Sequence, residues 1–366
     1  MKKLFTIIYI CALAPLLGGC ALFPSRLRTE ELAVVQAVGV DAAGGLVRLS
    51  MVTAADSSRG EGPVRMSGAG LTIPSAQEAI SSRAAEEAVF CAHAAQVLIG
   101  EESAREDVEG VLRWVCRSRE IRMDVPLLIV REGSAEEALL ETGGERVGAA
   151  ELLAALCAAA LTEDGEALPS AGRIAGALAD GRCALAAAVK CVPSSEQEGE
   201  EQPLTLERAG WAVIQDGSLA GFVEEEDAPA AELLRGAGGV HEFVVSDRAG
   251  QRVTLRSAPG KTDVRPAYAE DGAPEAIELT LRLSASVTAI DGTGDVTDAA
   301  YADELAAALE RELLRRAGNV LRLERELDAD FLELRERAHL RGAAPELPVR
   351  LSVSVRVSHQ GDVRDG

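Results

Sequence analysis

The sequence predicts an α+β fold of more than one domain, in which mixed and antiparallel β-sheets pack against helices. Apolar β-forming runs alternate with amphipathic helical segments along the first half of the chain, which indicates this class. Residues 193–203 are polar, rich in glutamate and bounded by proline, as linkers are. We therefore expect a leader (1–19), N-terminal α+β structure (20–192), an acidic linker (193–203) and a C-terminal α+β domain (204–366).

Runs of apolar β-formers indicate the strands of the first half. Two such runs flank a turn at Asp41 and Gly44-Gly45, which predicts a hairpin of Leu32–Val40 with Leu46–Thr53. Three shorter strands are expected further along the chain, at Met66–Ile73, Ala95–Ile99 and Val125–Val130.

Serines followed three positions later by glutamate mark the expected helix starts. Such capping boxes begin at Ser75, Ser103 and Ser134. In this motif the serine hydroxyl accepts from an amide in the first turn, while the glutamate reaches back to the serine amide. We expect the first two helices to extend to about Val89 and about Cys116.

The middle of the chain predicts more helix, followed by a second hairpin. Residues 145–192 are rich in alanine and are expected to be helical, with an interruption at Leu168-Pro169-Ser170. Asp216-Gly217 then suits the positive φ values of a two-residue turn between Gly210–Gln215 and Ser218–Val223.

Two late segments have the strict alternation of half-buried strands. Apolar side chains occupy every second position from 279 to 289 and again from 349 to 357. Between them, the charged stretch from Asp298 to about His339 has helical periodicity, and we expect it to be split near Gly318-Asn319.

The first twenty residues, MKKLFTIIYICALAPLLGGC, have the layout of a secretory signal. Two lysines precede an apolar run that is shorter than the roughly 20 residues a spanning helix needs. Leu17-Gly18-Gly19-Cys20 resembles the lipobox of bacterial lipoproteins. That resemblance implies cleavage between Gly19 and Cys20 and a diacylglyceryl lipid on the Cys20 sulfur. The alternative is an ordinary signal in which the cysteine is accidental.

Charge excludes one class of partner. The chain has 37 basic and 59 acidic residues, and loss of residues 1–19 removes two of the basic ones, which leaves a net charge of −24. A body of this charge is repelled by nucleic acid and by anionic lipid, so we expect no nucleic-acid partner. Adsorption to lipid could not replace the Cys20 anchor.

The motifs of common catalytic and metal sites are missing from the sequence. It contains no GxSxG, CxxC or HExxH, and its four histidines are scattered, so we expect no catalytic residue, no metal and no cofactor. After lipidation of Cys20, five cysteines remain in the mature chain, an odd number. Cys91, Cys116 and Cys157 have the surroundings of buried apolar residues, and a Cys183–Cys191 bridge is left open.

Three arginines lie close together after the second capping-box helix. Arg117, Arg119 and Arg122 could complement the negative end of that helix. They could also contact acidic groups of a partner, since arginine is common in interfaces.

Four segments accompany the lipobox along the chain. They are ELAVVQAVGVD (31–41), HAAQVLIGEESAREDVEGVLRWVCRSREIRMDVPLLIV (93–130), GWAVIQDGSLAGFV (210–223) and DADFLELRERAH (328–339). Together these five features resemble the Ger(x)C family, the lipoprotein subunits of spore germinant receptors. The chain departs from the family at Ala21-Leu22, where the family usually has Trp-Asp, and at charged residues such as Glu324 or Glu326, where it usually has glutamine.

The resemblance implies a non-enzymatic subunit, anchored by its lipid to the outer face of the spore inner membrane. Its partners would be two integral-membrane subunits, of the A type and the B type, one of them similar to amino-acid transporters. Two other classes were weighed. A lipid-anchored solute-binding receptor is disfavoured because aromatic residues make up only 3% of the chain. A lipid-anchored hydrolase lacks a visible nucleophile and base.

Overall fold

The computed structural model describes residues 32–53, 62–83, 88–143, 147–159, 168–194, 204–237, 239–292, 294, 297–340 and 347–358. Within these ranges the chain forms two β-sheets and eight helices, which confirms the predicted α+β class. The expected leader and Cys20 lie outside the described residues.

The first sheet has a parallel centre and antiparallel edges. Its strands are β1 (Leu32–Ala43), β2 (Leu46–Thr53), β3 (Arg65–Gly70), β4 (Ala88–Phe90), β5 (Gln96–Gly100), β6 (Leu127–Val130), β7 (Ala184–Pro193), β8 (Leu204–Gln215) and β9 (Ser218–Val223). Their order is β3-β2-β1-β5-β6-β7-β8-β9, and β4 pairs with the start of β1. β1, β5, β6 and β7 are parallel to one another.

Helices cover both faces of this sheet. Val97 and Ile99 of β5 face one apolar cluster, and Leu98 faces another. The first cluster includes residues of α1 (Ile73–Ser81), α2 (Glu101–Arg117) and α5 (Ala171–Ala179). The second includes residues of α3 (Ala135–Leu140) and α4 (Ala149–Ala159).

The second sheet is smaller and carries one long helix. Its strands are β10 (Glu242–Ser246), β11 (Arg252–Ser257), β12 (Lys261–Tyr268), β13 (Pro274–Ile290) and β14 (Val349–Ser358). The helices of this part are α6 (Ala228–Arg235), α7 (Ala299–Glu326) and α8 (Leu334–Arg337). The order is β10-β11-β13-β12, and β14 pairs with β13 in parallel, because α7 returns the chain to the start of the sheet.

The two sheets share a hydrophobic core. Leu128 and Val213 of the first sheet belong to the same buried cluster as Ile277 and Leu279 of the second. Phe331, which is fully buried and follows α7, belongs to this cluster as well. The position of one sheet is therefore tied to that of the other by close packing.

Both predicted hairpins are present, with turns of the expected kind. Gly44 and Gly45 have φ of 58° and 83° between β1 and β2. Asp216 and Gly217 have φ of 51° and 81° between β8 and β9. Positive φ at both central residues matches the right-handed twist of the flanking strands.

One predicted helical stretch is wrong in its last part. Ala184–Pro193 forms strand β7, which lies between β6 and β8, and its first six residues are buried. Alanine favours helix when packing does not decide. Here packing does decide, because both faces of the strand are covered. A short, fully apolar run of this kind has no regular spacing of apolar and polar residues that would distinguish a strand from a helix.

Two of the three predicted helix starts are also wrong. The first helix is capped by Thr72, whose hydroxyl accepts from the Ser75 amide, so Ser75 is the third helical residue, and the helix ends at Ser81, short of Val89. The second begins after Gly100 and has a kink at Asp107. Ser134 caps α3 as predicted, and its hydroxyl accepts from the Glu137 amide at 3.0 Å.

The predicted split near Gly318-Asn319 is wrong. α7 passes through both residues without interruption and ends at Glu326. A Cβ on Gly318 would meet nothing within 4 Å, so neither packing nor backbone conformation requires glycine there. The break comes later, at Asp328, which has a positive φ.

The predicted linker, residues 193–203, connects two neighbouring strands of one sheet. β7 and β8 pair antiparallel, with Pro193 opposite Leu204. Hydrogen bonding of the first sheet therefore continues past the linker, and Leu204–Val223 lies in that sheet rather than in the second one. The division into domains stays a prediction.

The Asp41 carboxylate joins the first hairpin to α3. It is 7% exposed, and its two oxygens accept from the amides of Ala135 and Glu136, both at 2.8 Å. These amides belong to the first turn of a helix, where no intrahelical acceptor is available. A Cβ on Gly100 would lie 2.1 Å from Asp41 Oδ1, so β5 has glycine at this point.

We expect Asp41→Ala to lower the free energy of unfolding by about 2 kcal/mol, because it leaves helix amides without acceptors. Asp41→Asn keeps one acceptor oxygen and should cost less. Denaturation in urea measures both. Asp303→Ala on the exposed face of α7 is the matched control and should change stability by less than about 0.5 kcal/mol. Equal stability of Asp41→Ala and the wild type would contradict this role.

Candidate functional site

A cleft of about 800 Å³ lies where four parts of the chain meet. Its walls come from α2, from the end of α5, from the β8–β9 turn and from residues 328–336. Carboxylates outnumber arginines in its lining by seven to three, and we call it the acidic cleft. Three of the segments that carry the Ger(x)C resemblance contribute to it.

The kink in α2 positions one wall of the acidic cleft. Asp107 leaves the helical conformation, and its Oδ1 accepts from the Gly110 amide at 2.7 Å. The Glu109 amide donates outside the helix, to the carbonyl of Gly217 in the β8–β9 turn, at 3.0 Å. Gly217 allows this approach because a Cβ there would lie 3.0 Å from the Cβ of Glu109.

The opposite wall, residues 328–336, is held by buried anchors and by its own carboxylates. Phe331 and Leu332 are fully buried, which fixes the segment on the shared core. Asp330 Oδ1 accepts from the amide of Leu334 at 2.9 Å. Asp328 and Glu333 have φ of 48° and 57°, a conformation that non-glycine residues adopt at a cost.

Glu324 lies behind this wall and is the most unusual acid of the described chain. Its side chain is buried on α7, and Oε1 accepts from the Leu332 amide at 3.0 Å. Burial raises the pKa of the Glu324 carboxyl to about 8 despite that hydrogen bond, and the charge of Asp330 adds to the shift. The carboxyl is therefore largely protonated at neutral pH.

Arginines neutralise part of the acidic cleft. Arg182 pairs with Asp180 at 3.1 Å and with Glu333 at 3.7 Å, while Arg335 pairs with Asp328 at 3.7 Å. The remaining carboxylates leave the lining negative. Such a lining attracts cationic groups, and the attraction is strengthened where the walls exclude water.

A second cleft of about 530 Å³ shares Arg182 and Glu333 with the first. Trp211 lines it and donates from Nε1 to Glu232 Oε1 at 3.0 Å. Glu232 also lies 3.6 Å from both Arg208 and His241. Burial, with the positive charge of Arg208, lowers the pKa of His241 to about 4, so this imidazole is neutral at pH 7.

The Cys183 thiol of the acidic cleft is a poor nucleophile. Burial raises the pKa of Cys183 to about 11, and the charges of Asp330 and Asp216 add to this. A thiol of that pKa carries almost no thiolate at pH 7. Within the described ranges no group of histidine, cysteine, aspartate or glutamate is arranged to hold a metal ion.

The cysteines differ in part from expectation. Cys91 is buried as predicted, but Cys116 is exposed and Cys157 is half-buried. Cys183 and Cys191 are free thiols, so the bridge that was left open does not form. Eight residues of extended strand separate them by roughly 26 Å, whereas bridged Cα atoms are about 6 Å apart.

The three predicted contact arginines lie on an exposed turn beside the acidic cleft. The turn begins where α2 ends, one residue after Cys116, which lines that cleft. Arg122 Nε donates to Asp124 at 2.9 Å. Arg117 and Arg119 form no ion pair with any described residue. Their role stays a prediction, and Gly19 and Cys20 lie outside the described residues.

The turn itself is locally rigid. Ser118 caps the end of α2, and its hydroxyl accepts from the amides of Glu120 and Ile121 at 3.2 and 3.1 Å. Ile121 is buried and fixes the turn to the core. Arg117 and Arg119 therefore extend from a fixed backbone.

Sequence reasoning missed the groups that shape the acidic cleft, above all Glu324, Asp330 and Arg182. The segment DADFLELRERAH was singled out only for its resemblance. A clue was present in its pattern, because Asp330 precedes the buried pair Phe331-Leu332 and a short charged helix. No pattern in the sequence indicates that Arg182, which is distant along the chain, lies opposite it.

The fold agrees with comparisons to known families. Residues 25–146 match the family model described as "Spore germination protein N-terminal domain". Residues 209–361 match the model "Spore germination B3/ GerAC like, C-terminal". The two matches cover most of the chain, and the chain belongs to this Ger(x)C family of spore germination proteins.

A solved structure supports the same fold. The crystal structure of the GerBC protein is similar over 87% of this chain and 96% of that chain, with a TM-score of 0.56 and 15% sequence identity. No curated protein matches the sequence significantly. Segment 147–208, which lies between the two family matches, supplies α5, β7 and the Asp180–Cys183 part of the acidic cleft.

We expect Glu324 to make stability depend on pH. Its pKa is about 8 in the folded chain against an ordinary value of 4.5, so the folded state holds this proton more tightly than the unfolded state does. The free energy of unfolding should therefore fall as pH rises from about 4.5 to about 8, by roughly 1 kcal/mol per pH unit from this group. Glu324→Gln keeps the acceptor for Leu332 and should remove that part of the slope.

Urea denaturation at a series of pH values measures the effect. The control is Glu326→Gln, an exposed acid on the same helix, which should keep the wild-type slope. Glu324→Gln should also be more stable than the wild type above pH 8. If the wild type and Glu324→Gln had the same slope, Glu324 would not be the titrating group.

Proposed function

We propose that this protein is a membrane-anchored lipoprotein subunit of a spore germinant receptor, needed for the assembly and response of that receptor. The observation that carries the proposal is the pair of family matches, which lie in order along the chain and include strands of both sheets. The integral-membrane partners are the A-type and B-type subunits. The expected location is the outer face of the spore inner membrane.

The lipid on Cys20 supplies the anchor in this proposal. The lysines, the apolar run and the lipobox support it. No helix of the described chain is both long and apolar enough to span a bilayer. Residues 21–31 between the lipid and β1 reach roughly 35–40 Å when fully extended, which lets the folded body approach neighbouring subunits.

The subunit acts by binding, without catalysis. The raised pKa of Cys183 and the paired carboxylates of the acidic cleft support this part of the proposal. The arginine turn supplies a contact surface at the edge of that cleft. Arg117 and Arg119 lack partners within the described chain, and a planar guanidinium donates hydrogen bonds in pairs to a carboxylate.

We expect Cys20→Ser to release the protein from membranes, because the substitution removes the attachment point of the lipid. Membrane fractionation with metabolic lipid labelling measures this. Cys116→Ser, which alters an exposed cysteine of the folded body, is the control and should stay in the membrane fraction with its label. A Cys20→Ser protein that still sediments with membranes, beside an unlabelled wild type, would refute the anchor.

We expect Arg119→Glu with Arg122→Glu to weaken assembly with the membrane subunits and to slow germination. Both side chains are exposed, so the stability of the isolated protein should change by less than about 0.5 kcal/mol per site. The measurements are the yield of the membrane complex and thermal unfolding of the variant.

The matched control is Arg322→Glu with Arg325→Glu, two exposed arginines of α7 that give the same change of charge. It should leave assembly unchanged. Normal assembly and germination of the folded Arg119/Arg122 variant would leave the arginine turn without a role, and unfolding of that variant would make the two arginines structural.

A further inference from the structure

The second sheet has one covered side and one bare side. Leu281 and Leu283 of β13 and Val355 of β14 pack in one cluster with Leu305 and Leu309 of α7. The residues between them in β13 and β14 point the opposite way, and they are exposed or half-buried. α7 therefore covers the apolar side alone.

The bare side is basic although the protein is acidic. On β12, β13 and β14 it carries Asp263 and Glu278, and a third acid, Glu275 of β13, pairs with Arg350 at 2.6 Å. The whole chain, by contrast, has 59 acidic and 37 basic residues. We call this surface the basic face. Its five basic residues are Lys261, Arg265, Arg282, Arg350 and Arg356.

Three of these cations are neighbours and have no partner among the described residues. Lys261 lies directly opposite Arg282, and Arg356 lies opposite Ser284, two residues further along β13. None of the three forms an ion pair or a side-chain hydrogen bond within the described ranges. Like charges directly opposite each other in a sheet are destabilising, so this arrangement favours an external anion.

Hydroxyl groups fill the spaces between the cations. Ser354 lies beside Arg282, and Ser284 lies beside Arg356. Ser352 donates to the Thr280 hydroxyl at 3.1 Å, which joins one pair of hydroxyls across β13 and β14. Hydroxyl and guanidinium groups are the donors that bind phosphate oxygens.

The shape of the basic face indicates the kind of anion. Arg282 and Ser284 of β13 and Arg350 and Arg356 of β14 are exposed, and neither of the two clefts described above is lined by residues of β10–β14, so these side chains form an open surface. It also lacks the aromatic or apolar centre of a protein interface, because the exposed large apolar side chain among the described residues of β12–β14 is Tyr268, at the end of β12.

We propose that the basic face lies against the anionic phosphates of lipid headgroups and orients the anchored body on the membrane. This inference rests on the proposed Cys20 anchor, which holds the body close to the bilayer, where a modest attraction is sufficient. The total charge of the chain does not oppose it strongly. At physiological ionic strength the screening length is about 8 Å, so carboxylates on other surfaces are largely screened at the face.

The test uses the mature lipidated chain in vesicles, with a fluorophore on the basic face and an acceptor dye in the lipid. Ser354→Cys in a Cys116→Ser background places the label on the face. Burial raises the pKa of Cys91, Cys157 and Cys183 to about 12, 11 and 11, and it raises the pKa of Cys191 as well, so these four thiols react slowly. Native Cys116, labelled in the unaltered chain, is the reference position.

Energy transfer from the Ser354 position should be higher in vesicles that contain phosphatidylglycerol than in phosphatidylcholine alone. Arg282→Glu with Arg356→Glu should reduce it to the phosphatidylcholine level, while Arg282→Lys with Arg356→Lys, which keeps the charge, should preserve it. Circular dichroism checks that each variant is folded. Energy transfer from the reference label on Cys116 should be no higher with phosphatidylglycerol than with phosphatidylcholine alone.

Equal transfer in the two kinds of vesicle would overturn the inference and leave the basic face to an acidic protein partner. If the energy transfer in phosphatidylglycerol vesicles stayed high in the Arg282→Glu, Arg356→Glu variant, that result would overturn the inference as well. Flotation separates this inference from the proposed anchor. A chain that floats with neither vesicle contradicts the anchor and this inference with it, whereas a chain that floats with both but does not reorient contradicts only the role of the face.

Discussion

The central strands of the first sheet must be buried on both faces, and the arrangement of the other elements follows from this. β5 and β6 expose apolar side chains to two separate clusters, so helices are needed on each side. α1, α2 and α5 cover one side. α3 and α4 cover part of the other side, and the remainder is covered by the second sheet and by the segment around Phe331. The two family-matched regions therefore share a core instead of being joined by a flexible tether.

The acidic cleft is a consequence of that shared core. Phe331 and Leu332 enter the core after α7, which brings the charged residues around them opposite α2 and α5. Glu324 is buried behind them, and its raised pKa keeps the carboxyl largely protonated near neutral pH. A carboxyl with these properties makes the stability of one cleft wall depend on pH, because ionisation would place a charge in a buried position beside the Asp330 carboxylate.

Much of the fold could be predicted from local pattern. The two hairpins were predicted because Gly44-Gly45 and Asp216-Gly217 carry their turn geometry in the sequence. The alternating strands β13 and β14 were predicted because one side of each is apolar. β7 was missed, since its alanines and valines are buried on both sides and show no alternation. The acidic cleft could not be predicted in this way, because Arg182 and Glu333 are distant in the sequence and meet only in the folded chain. The exposed arginine turn could be predicted, because its three arginines are close together in the sequence.

The parallel pairing of β13 with β14 has a consequence for how the chain matures. Ser352 meets Thr280 across 72 residues, so β13, which already pairs with β11 and β12, keeps part of an edge open until the last described strand, β14, is available. Closing such a long loop is slow compared with forming either hairpin. A chain that emerges from its amino end first would complete the first sheet early. The edge of β13 that pairs with β14 would then stay unpaired until synthesis or export had finished. Order of emergence, rather than stability alone, then sets the interval during which this edge is open to pairing with other chains.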